Sequence, residues 1–233
     1  MMKTKILAMI PARIGSQRLK KKNLALVNKK PLIEYVIQSA KKSNIFDQIY
    51  INSDSQVFKK IALKNKVNFY LRGKKFGSTN TKSDDVVYDF LKNNKCDIVV
   101  WVNPIAPLQE PIEIKRVVNF FMKKKLNSLI TTNKLKNHAI YKNKPLNYKI
   151  NERFKKTQNL EPIELMVYSV MMWRSNTFIK SYEKNKKAIL HGKVGYYPVS
   201  KFSGIIVKDK IDLEIVSTIL KVLKKKNIIK YFK

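Results

Sequence analysis

Apolar residues fall along this chain in two patterns: short continuous runs, and longer stretches in which they recur every three or four positions. The first run, Ile6-Leu7-Ala8-Met9-Ile10, is apolar on both faces of any strand it forms, which predicts a buried parallel strand over 5–10. Leu24-Ala25-Leu26-Val27 predicts a short extended piece closed by a turn at Asn28-Lys29-Lys30. Pro31 then opens a helix with an apolar face of Leu32, Ile33, Val36, Ile37 and Ala40, because a first helical position has no use for the missing N–H. Further strands are predicted over 47–53, 67–71, 97–102, 127–133, 164–173 and 194–199. Helical periods predict helices over 56–65, 83–94, from Pro111 onward, over 175–182 and over 210–225. Ser53 or Asp54, Ser83, Ser175 and Asp209 stand where helix N-caps are expected. Met166, Met171 and Met172 read as core packing.

Strands and helices in alternation predict an α/β fold: a doubly wound, mostly parallel sheet with helices on both faces and a site at the strand carboxyl ends. A chain of 233 residues is read as one domain, 1–233, in which the stretch 134–161, with Pro145, is polar and has few periodic apolars.

Composition narrows the classes. No apolar run approaches the ~20 residues of a membrane span, and the run after Lys3 and Lys5 is too short for a secretory segment, so a cytoplasmic protein is expected. The lone Cys96 excludes an internal disulfide and a multi-cysteine metal site, and reads as a small core residue. His138 and His191 have no third ligand in view and read as loop side chains. The net charge of +33 comes mostly from Lys scattered in pairs and triplets, with no nucleic-acid motif and no aromatic platform, so nucleic acid is not an expected partner.

Candidate chemistry concentrates in Pro11-Ala12-Arg13-Ile14-Gly15-Ser16-Gln17-Arg18-Leu19-Lys20-Lys21-Lys22-Asn23, directly after the first strand. Two readings fit these residues. One is a polyphosphate cradle built from backbone N–H groups near Gly15 and Ser16, with Arg13, Arg18 and Lys22 converging; the other is a basic surface turn. It is neither a Walker loop nor a dinucleotide fingerprint, since both spacings are missing.

Pro11-Ala12-Arg13-x-Gly15-Ser16-x-Arg18-x-x-x-Lys22-Asn23 resembles the signature of the cytidylyltransferases that activate acidic sugars, the acylneuraminate (CMP-sialic acid and CMP-nonulosonate synthetase) family. The resemblance implies a Rossmann-like nucleotidyltransferase fold and transfer of CMP from CTP to a nonulosonate-like sugar acid, with release of pyrophosphate, for surface glycan synthesis. It implies Lys22 and Arg13 as catalytic residues. For nucleotide binding it implies Ala12, Arg13, Gly15, Ser16, Arg18 and Asn23, then Arg72, Thr81 and Ser83 at the cytosine. Asn52-Ser53-Asp54 matches a family segment that faces the nucleotide, which leaves two readings beside each other there: ligand contact, or a cap for the next helix.

Asn103-Pro104-Ile105-Ala106-Pro107-Leu108-Gln109 matches a family loop reading Gln-Pro-Thr-Ser-Pro-Leu-Arg, which implies Asn103, Pro107 and Gln109 as sugar contacts. In the family the region matching 134–161 is an inserted extension that reaches a partner subunit, so the resemblance implies a homodimer. The family also holds Mg²⁺ with the first two aspartates of Asp-Ile-Asp-Thr-x-Glu-Asp-Leu. Here Ile206 and Lys208 stand at those two positions, with Asp209 next to the second as a candidate replacement ligand or a helix cap. These departures support an alternative: a diverged relative that binds nucleotide without efficient turnover. A basic nucleic-acid-binding protein is the third reading.

Overall fold

The computed structural model describes residues 3–223. The chain runs β1 (Ile6–Ala12), a one-turn 3-10 segment (Lys22–Leu24), the hairpin β2 (Leu26–Val27) and β3 (Lys30–Pro31), then α1 (Leu32–Lys42), β4 (Gln48–Ser53) and α2 (Val57–Asn65). It continues through β5 (Asn68–Leu71), α3 (Ser83–Asn93), β6 (Ile98–Val102), α4 (Pro111–Lys123) and β7 (Ser128–Leu135). A second hairpin, β8 (Ile140–Tyr141) and β9 (Lys144–Pro145), precedes β10 (Ile163–Arg174), α5 (Ser175–Asn185), β11 (Val194–Pro198) and α6 (Lys210–Val222).

Seven strands form one sheet in the order β11-β7-β10-β6-β1-β4-β5. Every neighbouring pair is parallel except those made by β10, which runs antiparallel to both β6 and β7. The expected doubly wound, mostly parallel sheet is therefore present. Alternation along β1 divides the core. Ile6, Ala8, Ile10 and Ala12 face one apolar cluster with side chains of α1, α2 and α4, while Leu7 and Met9 face a second with Phe90 of α3 and Phe178 of α5. Both faces are covered, which is why β1 is buried at every position. A third cluster packs Val216 of α6 against Val27 and Leu32.

The turn at Asn28-Lys29 closes the first hairpin with both residues at positive φ, 47° and 65°, as a two-residue type I′ connection requires. Three of the four expected caps are placed differently. Ser83 and Ser175 are the first helical residues rather than caps. Asp85 instead accepts from the Lys82 N–H, and the Ser175 hydroxyl lies 3.3 Å from Cys96 Sγ. Ser53 and Asp54 make no cap to α2, because Ser53 Oγ accepts from Ser55 N–H and Asp54 turns back toward the loop after β1. Asp209 does cap α6, in a reciprocal pair: its carboxylate accepts from Asp212 N–H at 3.1 Å, and that of Asp212 accepts from Asp209 N–H at 3.2 Å. The expected end of this helix near residue 225 lies outside the described residues.

The first half of β10 departs from the buried strand expected there. Leu165 and Met166 are exposed, because they pair with β7 alone, whereas Met171–Trp173 are held between β6 and β7. Met166 is thus not core, while Met171 and Met172 are. The histidines also differ from solvated loop side chains. His191 Nδ1 bonds to Ala188 O at 2.6 Å, and burial lowers its pKa; His138 stacks on Phe154 with ring centroids 4.0 Å apart.

Candidate active site

β1 is paired on one side by β4 up to Ala12–Ser53 and on the other by β6 up to Met9–Trp101. The sheet order reverses between β1 and β6, so the loops leaving these two strands diverge and open a crevice. A cavity of about 410 Å³ lies there, within the size range of small-molecule sites.

The loop after β1 lines the cavity with Arg13, Ser16, Arg18, Lys22 and Asn23. Its backbone is tied down by Asp54, whose Oδ1 accepts from Ile14 N–H at 3.1 Å. The same carboxylate lies 4.0 Å from Arg72 Nη2, with both side chains nearly buried. Gly77 passes directly over it: a Cβ there would sit 2.1 Å from Asp54 Oδ2, so only glycine permits this approach. Asn52 and Ser53 are fully buried and do not line the cavity; Asn52 instead accepts from Arg72 Nη1 at 3.4 Å through its carbonyl and its side-chain oxygen. This segment supports the site rather than facing it.

Arg72, Thr81 and Ser83 line the cavity wall opposite the loop, beside Phe76 and Thr79. Arg72 is 4% exposed; burial lowers its pKa, and the carboxylates of Asp54 and Asp89 oppose that shift. Asn103 lines the next stretch and donates from Nδ2 to Tyr168 O at 3.0 Å. Trp101, read from the sequence only as part of an apolar strand, also lines the cavity.

Three of these side chains carry a buried polar atom that has no partner among the described residues: Asn23 Oδ1, Arg72 Nε and Trp101 Nε1. Buried polar atoms are nearly always paired, and each unpaired one costs about 1–3 kcal/mol. One acceptor and two donors are thus left unpaired on residues that line the cavity. The signal for Trp101 was available in the sequence, since its indole N–H needs a partner that a Val- and Ile-rich strand does not offer.

Several expected contacts lie elsewhere. Ala12 is fully buried in the core at the end of β1. Ser16 N–H, expected to hold phosphate, donates to Ile14 O at 3.1 Å. Gly15 is exposed, a Cβ added there would meet nothing within 4 Å, and the residue does not line the cavity. Pro107 is buried, and Gln109, 2% exposed, donates to Glu113 Oε2 at 3.3 Å. The start of α4 draws Gln109 inward, because Glu113 is itself anchored by Ser200 N–H at 2.6 Å.

The segment before α6 closes the cavity. Val207 N–H donates to Ile105 O at 2.9 Å, and Lys22 Nζ donates to Val207 O at 3.0 Å. Lys208, the next residue, lines the cavity, and its N–H donates to Asp212 Oδ2 at 2.7 Å. Burial, then the neighbouring Arg18 and Arg13, pull the Lys22 pKa below the ordinary lysine value, while Asp212 and Asp209 pull it back.

Magnesium held by aspartates does not fit these residues. No carboxylate lines the cavity among the described residues, and none of them form a group of three or more His, Cys, Asp or Glu that could hold a metal. Ile206 and Lys208 occupy the two expected ligand positions, and Asp209, the candidate replacement, is engaged as the cap of α6.

Comparison with known proteins places this geometry. The sequence model of a family described as Cytidylyltransferase matches residues 7–206. The chain is 25% identical over 230 residues to the N-acylneuraminate cytidylyltransferase of Escherichia coli O18:K1:H7, covering 94% of this chain and 52% of that protein. It is 32% identical over 120 residues to the CMP-N,N'-diacetyllegionaminic acid synthase of Legionella pneumophila, covering 49% and 52%. The chain spans about half the length of these curated relatives. Among solved structures, a CMP:2-keto-3-deoxy-manno-octonic acid synthetase complexed with CTP shares the fold at a TM-score of 0.70 and 14% identity, covering 94% of this chain and 99% of that one. A 4-diphosphocytidyl-2C-methyl-D-erythritol synthase from Anaerococcus prevotii superposes at 0.67, also with 14% identity, covering 94% and 99%.

Proposed function

Because the chain belongs to the cytidylyltransferase family, we propose that it activates a nonulosonate-like sugar acid with CTP, giving a CMP-sugar and pyrophosphate for surface glycan synthesis. The observation that carries this reading is the cavity at the β1–β6 crevice, lined by Arg13, Arg18 and Lys22 together with Asn23, Arg72 and Trp101, each of which carries an unpaired buried polar atom. In the reaction, a sugar hydroxyl oxygen bonds to the α-phosphorus, the bond to pyrophosphate breaks, and the hydroxyl proton passes to solvent. Such chemistry needs positioning and charge neutralisation more than covalent help from the protein. Arg13 forks onto phosphate oxygens and Lys22 acts as a point charge, oriented by its bond to Val207 O. Asn23, Arg72, Thr81 and Ser83 hold the nucleoside, and Asn103 contacts the sugar.

The protein works in the cytoplasm as a homodimer in which the β8–β9 extension meets a second copy. Exposed Ile140, Tyr141, Ile150 and Phe154 on that extension support this arrangement. A second reading, nucleotide binding without efficient turnover, is favoured by Ile206 and Lys208 at the expected metal positions. Pyrophosphate release from CTP with Mg²⁺, measured against a panel of nonulosonic and octulosonic acids, separates the two. Turnover on at least one acid is expected, falling about 100-fold or more in Lys22→Ala, the scale of losing one preorganised charge-stabilising group. CTP binding with no pyrophosphate release on any acid would establish the second reading.

A further inference from the structure

We infer that Lys208 supplies, as a side-chain cation on a held backbone, the positive charge at the nucleotide phosphates that an aspartate-held divalent ion would otherwise provide, so that CTP binds here without a protein-held metal. The inference rests on the reading that the cavity takes CTP.

Three observations carry it. The first is position. Residues 207 and 208 are clamped by backbone bonds in three directions, from Val207 N–H to Ile105, from Lys22 Nζ to Val207 O and from Lys208 N–H to Asp212. Lys208 therefore joins the cavity wall from a held backbone, one residue after the carbonyl that Lys22 Nζ bonds. The second is charge. Arg13, Arg18, Lys22, Arg72 and Lys208 all line the cavity, and no carboxylate among the described residues does. Mg²⁺ takes hard oxygen ligands, with carboxylates foremost, and a wall of cations repels it until a phosphate chain arrives. The third is availability. The carboxylates nearest Lys208 in the chain, Asp209 and Asp212, are engaged in capping α6, while no hydrogen bond or ion pair among the described residues engages the Lys208 ammonium. A compact, strongly hydrated point charge of this kind is the side-chain group closest in action to a metal ion at phosphate oxygens.

The test is calorimetric titration of CTP into the full chain, once with EDTA and once with Mg²⁺, for the wild type and for Lys208→Met, which keeps the stem and removes the charge. The wild type is expected to bind CTP in EDTA within about threefold of its affinity with Mg²⁺. Lys208→Met is expected to bind about tenfold or more weakly in EDTA, the scale of one charge-assisted hydrogen bond, and to recover part of that loss with Mg²⁺. Its affinity for cytidine is expected to stay unchanged. Wild-type affinity that falls tenfold or more in EDTA would overturn the inference while leaving the proposed function intact, as would a Lys208→Met variant that binds CTP in EDTA as the wild type does. No CTP binding under either condition would overturn the proposed function and the inference together.

Discussion

Asp54 illustrates how much of this site depends on residues that never touch the cavity. One carboxylate, nearly buried beneath Gly77, holds the Ile14 amide and faces Arg72, so it fixes the loop after β1 and the Arg72 wall of the cavity relative to each other. Asp54→Ala is expected to lower stability by about 1–3 kcal/mol, because it strands a buried N–H and unbalances a buried guanidinium. It is also expected to weaken CTP binding about tenfold, against little change in far-UV circular dichroism; thermal melts and calorimetry check both. Asp54 followed a strand and preceded a helix, so local chemistry pointed to a cap, and the partner 40 residues upstream was invisible. The cationic residues were easier to read. Arg13, Arg18 and Lys22 stand in a loop that follows a buried strand directly, and the structure places all three on the cavity.

At the level of elements, α6 ties stability to the site. Its reciprocal Asp209–Asp212 cap also holds the Lys208 amide, so the cap determines where the residue before it points. Asp209→Ala is expected to cost about 1 kcal/mol, read as a lower melting midpoint. A CTP affinity loss in EDTA that exceeds the loss with Mg²⁺ is expected to accompany it. The cap was one of two readings of Asp209, the other being a metal ligand, and its engagement with Asp212 N–H decides between them. The bounds of most strands and helices were legible for local reasons. The exposed half of β10 was not. An apolar run shows that a strand forms, but not how many neighbours it has, and β6 ends at Val102 before reaching Leu165 and Met166. The positive φ of Tyr168, 56°, marks the register shift between the two halves.

Across the whole molecule, the net charge of +33 opposes compaction. Raising NaCl from about 10 mM to about 150 mM shortens the screening length from about 30 Å to about 8 Å, and is expected to raise the melting midpoint while weakening CTP binding. Differential scanning calorimetry and titration at matched salt check the pair; a midpoint that falls with salt would mean that ion pairs outweigh the repulsion. The bond from Lys22 to Val207 joins residues 185 apart. A ribosome adding ~5–20 residues per second needs roughly 10–40 s to travel between them. During that interval the cationic loop after β1 is already synthesised while its closing segment is not, so translation rate sets how long that open loop meets the polyanions of the cell.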